Sequence, residues 1–139
     1  MTRLVPMLAA LALLAAGCGG GGPERGQGGG GSSDIVVELV EQNSSGQAGT
    51  ATLAIEGDTT GITIELIAAT GGVGDSLPTH VHKGTCADLD PEAAFTLPDT
   101  FDGISGDTID VPYEELKGQY SIDVHAMGGG DLVSCGEIK

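Results

Sequence analysis

The amino-acid sequence predicts an all-β domain, an antiparallel sandwich or barrel of about seven or eight short strands. Beyond residue 34, apolar and polar residues alternate with a period of two in segment after segment. Clusters of Gly, Asn, Asp and Ser separate those segments, and almost no stretch has a helical period. Two Phe, two Tyr and no Trp leave the core to Ile, Val, Leu and Ala.

Residues 35–41 are rich in β-branched side chains and stop at Asn43-Ser44-Ser45-Gly46, which makes them the first strand. Residues 49–56 follow, with Ala51, Leu53 and Ile55 alternating against Thr50, Thr52 and Ala54. After a turn at residues 57–61, Ile62, Ile64 and Leu66 mark the core face of a third strand. A Gly-rich loop over residues 70–76 leads into a strand carrying His80 and His82. Residues 84–106 hold Pro91 and Pro98 and no sustained alternation, so they read as a long loop with at most a short strand at residues 94–97. Residues 108–111 form a further strand, residues 112–116 a helical turn, residues 119–126 a strand carrying His125, and residues 132–138 the last strand after the turn at residues 128–131.

The N-terminal segment has a different task. Arg3 precedes an apolar run, residues 4–16, that is too short to span a bilayer and has the length of a signal-peptide core. It ends in Leu13-Leu14-Ala15-Ala16-Gly17-Cys18, which resembles the lipobox of bacterial lipoproteins and implies cleavage after residue 17 with lipid on Cys18. Residues 18–33 are then a flexible Gly/Ser tether, and residues 34–139 the folded domain, held at the outer side of the cell membrane by its lipid. Removing residues 1–17 takes Arg3 from five basic residues, so 20 acidic residues face four basic ones and the formal charge moves from −15 to −16. That field excludes nucleic acid as a partner and attracts cations, metal ions included.

The chemistry-bearing residues gather on two strands. His80 and His82, two apart, project from one strand face while Val81 projects from the other. Ser121, Asp123 and His125 share one face of a later strand, and Ile122 and Val124 share the opposite one. If the two strands meet, three imidazoles converge outside the core, and a disulfide can tie Cys86 to Cys135. Free thiols, or Cys135 as a metal ligand, are the other ways to use these cysteines. Asp123, beside His125, and Asp131, in the turn before the last strand, are carboxylates placed to orient a ligating imidazole.

With His80-Val81-His82, Cys86, Val124-His125 and Val133-Ser134-Cys135-Gly136 in this order, the chain resembles the copper/zinc superoxide dismutase superfamily over most of residues 34–139. The resemblance implies an eight-stranded Greek-key barrel, copper held by His80, His82 and His125, and a Cys86–Cys135 disulfide. It also shows departures. Residues 87–105 contain no histidine, so the zinc ligands and the fourth copper imidazole are missing and zinc is not expected. Leu132 stands three residues before Cys135, where the family places a substrate-guiding arginine, and Lys83 is the nearby cation in the sequence. A second resemblance, to chordin-type domains, rests on the His-x-His strand, the Val-His strand and the closing Gly136-Glu137-Ile138.

Three functions follow from these readings. The first is a surface-anchored, copper-binding lipoprotein with weak or no dismutase activity. The second is an active copper superoxide dismutase. The third is a metal-free binding module of the chordin type.

Overall fold

A computed structural model describes residues 33–68 and 76–139. The export signal over residues 1–17, the lipidation at Cys18, nearly all of the tether and most of the Gly-rich loop over residues 70–76 lie outside the described residues. Eight strands and one helical turn make up the fold: β1 (Ile35–Glu41), β2 (Gln47–Glu56), β3 (Thr59–Ala68), β4 (Ser76–Thr85), β5 (Asp88–Phe101), β6 (Ile104–Ile109), α1 (Tyr113–Leu116), β7 (Tyr120–His125) and β8 (Leu132–Glu137). They close into an antiparallel barrel in the order β1-β2-β3-β6-β5-β4-β7-β8. Strands β4, β5 and β6 run as consecutive neighbours and β7 returns beside β4, which is a Greek key.

The alternation seen in the sequence becomes the barrel's inside and outside. Leu39, Leu53, Ile62, Ile64, Val81 and Ile122 are among the fully or almost fully buried residues of the aliphatic core. Full burial of one such side chain stabilises the fold by roughly 1.5–3 kcal/mol. In α1, Tyr113 and Leu116, one helical turn apart, are both buried, and the Tyr113 hydroxyl donates to the Lys139 carbonyl.

The expected long loop over residues 84–106 is corrected: it holds the 14-residue strand β5 and the first half of β6, which also begins earlier than residue 108. Two features hid it. Along β5 only Leu97 and Thr100 are fully buried, so its outer residues carry little apolar periodicity. The ladder to β4 also shifts register between Leu77 and Thr79, between Val81 and His82, and between His82 and Gly84. Pro98 and Pro91 fall in the first and last of these irregularities, where a missing N–H breaks no regular ladder bond. Along its other edge β5 pairs with β6 only through Phe101 and Ile104, and the Ser105 hydroxyl donates to the Pro98 carbonyl at 2.6 Å where the two strands part.

The β4–β5 turn relies on Gly84. Its φ is +109°, and an added Cβ would lie 2.2 Å from the Asp88 carbonyl oxygen. Gly84→Ala is therefore expected to destabilise the fold by about 2 kcal/mol or more. The urea unfolding midpoint checks this, and an unchanged midpoint would show that the turn can be rebuilt without the left-handed residue.

Candidate metal centre

Strand pairing brings the separate motifs of the sequence into one row. The register sets His80 of β4 opposite Asp123 of β7, and Asp123 opposite Cys135 of β8. His125 follows two residues after Asp123 on the same strand face, and His82 two after His80. The three rings meet with centroids 5.4–6.4 Å apart. Together with the Asp123 carboxylate they form a group that could hold a metal ion, with one ligand atom from each residue and all four atoms within 4.8 Å of one another. Bonds of about 2 Å to a shared ion in tetrahedral geometry separate ligand atoms by about 3.3 Å, so the widest pair would close by about 1.5 Å on binding.

Backbone carbonyls fix which nitrogen each ring presents. His82 Nδ1 lies 2.6 Å from the Asp90 carbonyl oxygen and His125 Nδ1 lies 3.0 Å from that of Gly130. A carbonyl oxygen can only accept, so both Nδ1 atoms carry a proton, and in the neutral tautomer this selects, Nε2 is the unprotonated atom turned toward the centre. Local sequence supplies each acceptor. The Asp90 carboxylate accepts the Glu92 N–H at 3.0 Å, a side-chain turn favoured at Asp-Pro, in the irregular stretch of β5 opposite His82 and Gly84. At β7, Gly128 and Gly129 take positive φ, and the amides of Gly129 and Gly130 donate to the Ala126 carbonyl, folding the chain back under His125. His80 presents Nδ1 instead, buried and without a hydrogen-bond partner.

Asp123 occupies a closer position than the sequence suggested. It is fully buried, and its carboxylate stands among the ring nitrogens rather than behind one of them. One oxygen is 3.8 Å from His82 Nε2; the other is 2.7 Å from His125 Nε2 and 4.0 Å from His80 Nδ1. At the short contact, His125 Nε2 has no proton to donate when the ring's proton is held on Nδ1 for the Gly130 carbonyl, which leaves both oxygens unpartnered, like His80 Nδ1 and His82 Nε2. Four polar atoms left so in a protein interior are costly, and one cation at their centre would satisfy them all. The clue in the sequence is a carboxylate between Ile122 and Val124 on the strand face of His125; cross-strand register, which the sequence does not display, puts it opposite His80.

The other nominated residues fall as follows. Asp131 is exposed, and it meets its surroundings through its carbonyl, which accepts the Ala126 N–H; backbone oxygens of Asp90 and Gly130 do the orienting expected of a carboxylate. Cys86 and Cys135 form a disulfide, which removes Cys135 from the possible ligands. Lys83 is exposed. Leu132 pairs with His125 across β7 and β8, so the residue beside that histidine is apolar.

Burial moves two of the charges. Desolvation pushes the Asp123 carboxyl above its ordinary range, against the pull of the three imidazoles. Desolvation also lowers His80 below its ordinary 6.5, with Asp123 opposing and the other two histidines reinforcing the shift. The linkage has opposite signs. As pH rises from about 3.8 through the raised Asp123 value, the metal-free fold loses stability, because the native state held that proton longer. As pH falls below 6.5, the fold loses stability through His80, whose proton the unfolded chain takes up first. Asp123→Asn is thus expected to make the metal-free protein more stable at pH 8, by on the order of 1 kcal/mol. Urea unfolding in a chelator checks the sign, and a less stable variant contradicts it.

The chain matches no protein-family model and no curated protein.

Proposed function

We propose that this chain is a surface-anchored bacterial lipoprotein whose superoxide dismutase-like domain binds copper through His80, His82 and His125, with weak or no dismutase activity. The observation that carries the copper reading is the convergence of three imidazoles whose inward nitrogens are set by carbonyls or left unpartnered beside a buried carboxylate. Copper among imidazoles binds more tightly than the other divalent first-row ions and, when bound, supplies one-electron chemistry. The Greek-key order and the Cys86–Cys135 disulfide support the resemblance, and the disulfide fits an oxidising compartment outside the cytoplasm. The lipid anchor rests on the residues ending at Cys18.

Weak dismutation follows from this chain's own residues. Leu132, not a cation, stands opposite His125, and the formal charge of −16 on the chain without residues 1–17 opposes the approach of a small anion. Hydrogen bonds from the Nδ1 atoms of His82 and His125 to backbone carbonyls hold their rings in place.

A Cu(II) titration followed by electron paramagnetic resonance tests the reading. One tight equivalent with nitrogen hyperfine structure is expected, lost in His80→Ala and His125→Ala, and its dismutation rate is expected to fall far below diffusion control. Turnover near that limit would make the protein an active dismutase instead. No stoichiometric signal, or one indifferent to both substitutions, would leave a metal-free binding module of the chordin type.

A further inference from the structure

We infer that the Asp123 carboxylate is itself a metal ligand and makes the centre selective for divalent over monovalent ions, so that it holds Cu(II) or Zn(II) in preference to Cu(I). The inference rests on the copper reading above and adds what the fourth donor does. Three neutral imidazoles accept copper in either oxidation state. A carboxylate oxygen is a harder, charged donor, which favours the divalent ion on both grounds.

The structure gives Asp123 this place in three ways. Its side chain is 0% exposed, so bulk solvent does not reach it. Neither oxygen has a hydrogen-bond partner, although three rings surround it. The two oxygens face different rings, one toward His82 and the other toward His80 and His125, so the carboxylate lies where the inward nitrogens converge. An orienting carboxylate would instead receive an N–H from the outer nitrogen of a ligating ring. In His82 and His125 that outer nitrogen is already bonded to a backbone carbonyl. The disulfide partner Cys135 stands directly across from Asp123 on β8, and His80 across from it on β4, so neighbouring strands hold the carboxylate on both sides. Among the described residues, Asp123 is the only acidic one that is buried.

Competition titrations against chelators of known affinity test the inference, with Cu(II), Zn(II) and Cu(I) as separate probes on wild type and Asp123→Asn, a near-isosteric neutral replacement. Affinity for Cu(II) and Zn(II) is expected to fall about 100-fold or more, beyond the usual effect of losing an orienting group. Affinity for Cu(I) is expected to fall less than about tenfold. Equal losses for all three ions, or none, would overturn the inference while leaving the copper reading standing. Failure of the wild type to bind any of the three would overturn the copper reading and this inference with it. Difference infrared spectroscopy of the wild type supplies a readout independent of the variant's folding. Shifted carboxylate stretching bands on addition of Zn(II) are expected, and their absence from a protein shown to be loaded would overturn the role of Asp123.

Discussion

Reducing the Cys86–Cys135 disulfide is expected to lower the stability of the domain by about 4 kcal/mol, the chain-entropy value for a closed loop of this length. The two cysteines are 49 residues apart in sequence, and the loop between them contains β5, β6, α1 and β7. Domains of this size have only about 5–15 kcal/mol in total, so the loss is a large fraction. It corresponds to a drop in thermal midpoint of roughly 16 °C or more. The bond also ties the turn after β4 to β8, beside the row that holds Asp123. Thermal melts with and without reductant, and of the Cys86→Ser/Cys135→Ser double variant, measure the effect. A midpoint within a few degrees of the oxidised protein would show that the unfolded chain gains little freedom when the loop opens.

Metal loading is expected to have the opposite and comparable effect. An ion that binds the folded centre alone, at a free concentration about 1,000 times its dissociation constant, adds about 4 kcal/mol. For a domain of about a hundred residues this raises the thermal midpoint by roughly 16 °C. The increment has a structural source in the four buried polar atoms that lack partners in the metal-free arrangement. His125→Ala removes one donor and is expected to abolish most of the shift. Asp123→Asn separates the two sides of the same interaction, being more stable than wild type in chelator and less stable in Cu(II). Calorimetric melts of the three proteins in both conditions check all four comparisons. A copper-induced shift of equal size in His125→Ala would place the stabilising ion elsewhere.

The barrel was legible in the sequence wherever one strand face is buried. Ile62, Ile64 and Leu66 alternate because β3 packs one face inward, and Ile122 and Val124 do the same on β7. Strand β5 escaped because its register slips at Pro91 and Pro98 and most of its side chains are at least partly exposed, so the period-two signal never accumulates. The histidine cluster was legible because His80 and His82 declare a shared face by spacing alone. The depth of Asp123 was not. Its burial depends on strands β4 and β8 closing over both sides of β7, through the pairings of Asp123 with His80 and with Cys135, and no local spacing displays either pairing. The carbonyls of Asp90 and Gly130 were also beyond reach, since every residue carries a carbonyl and only the fold decides which ones meet an imidazole.

Anomalous diffraction from crystals grown with one equivalent of Cu(II), collected at the copper edge, tests the central claim most directly. The expected result is a single strong peak bonded to His80 Nδ1, His82 Nε2 and His125 Nε2, with an Asp123 oxygen in the same coordination sphere. A peak on surface carboxylates, or no peak while the Asp123 carboxylate accepts hydrogen bonds from histidine N–H groups, would contradict it and make the cluster a buried charge pair instead of a metal centre.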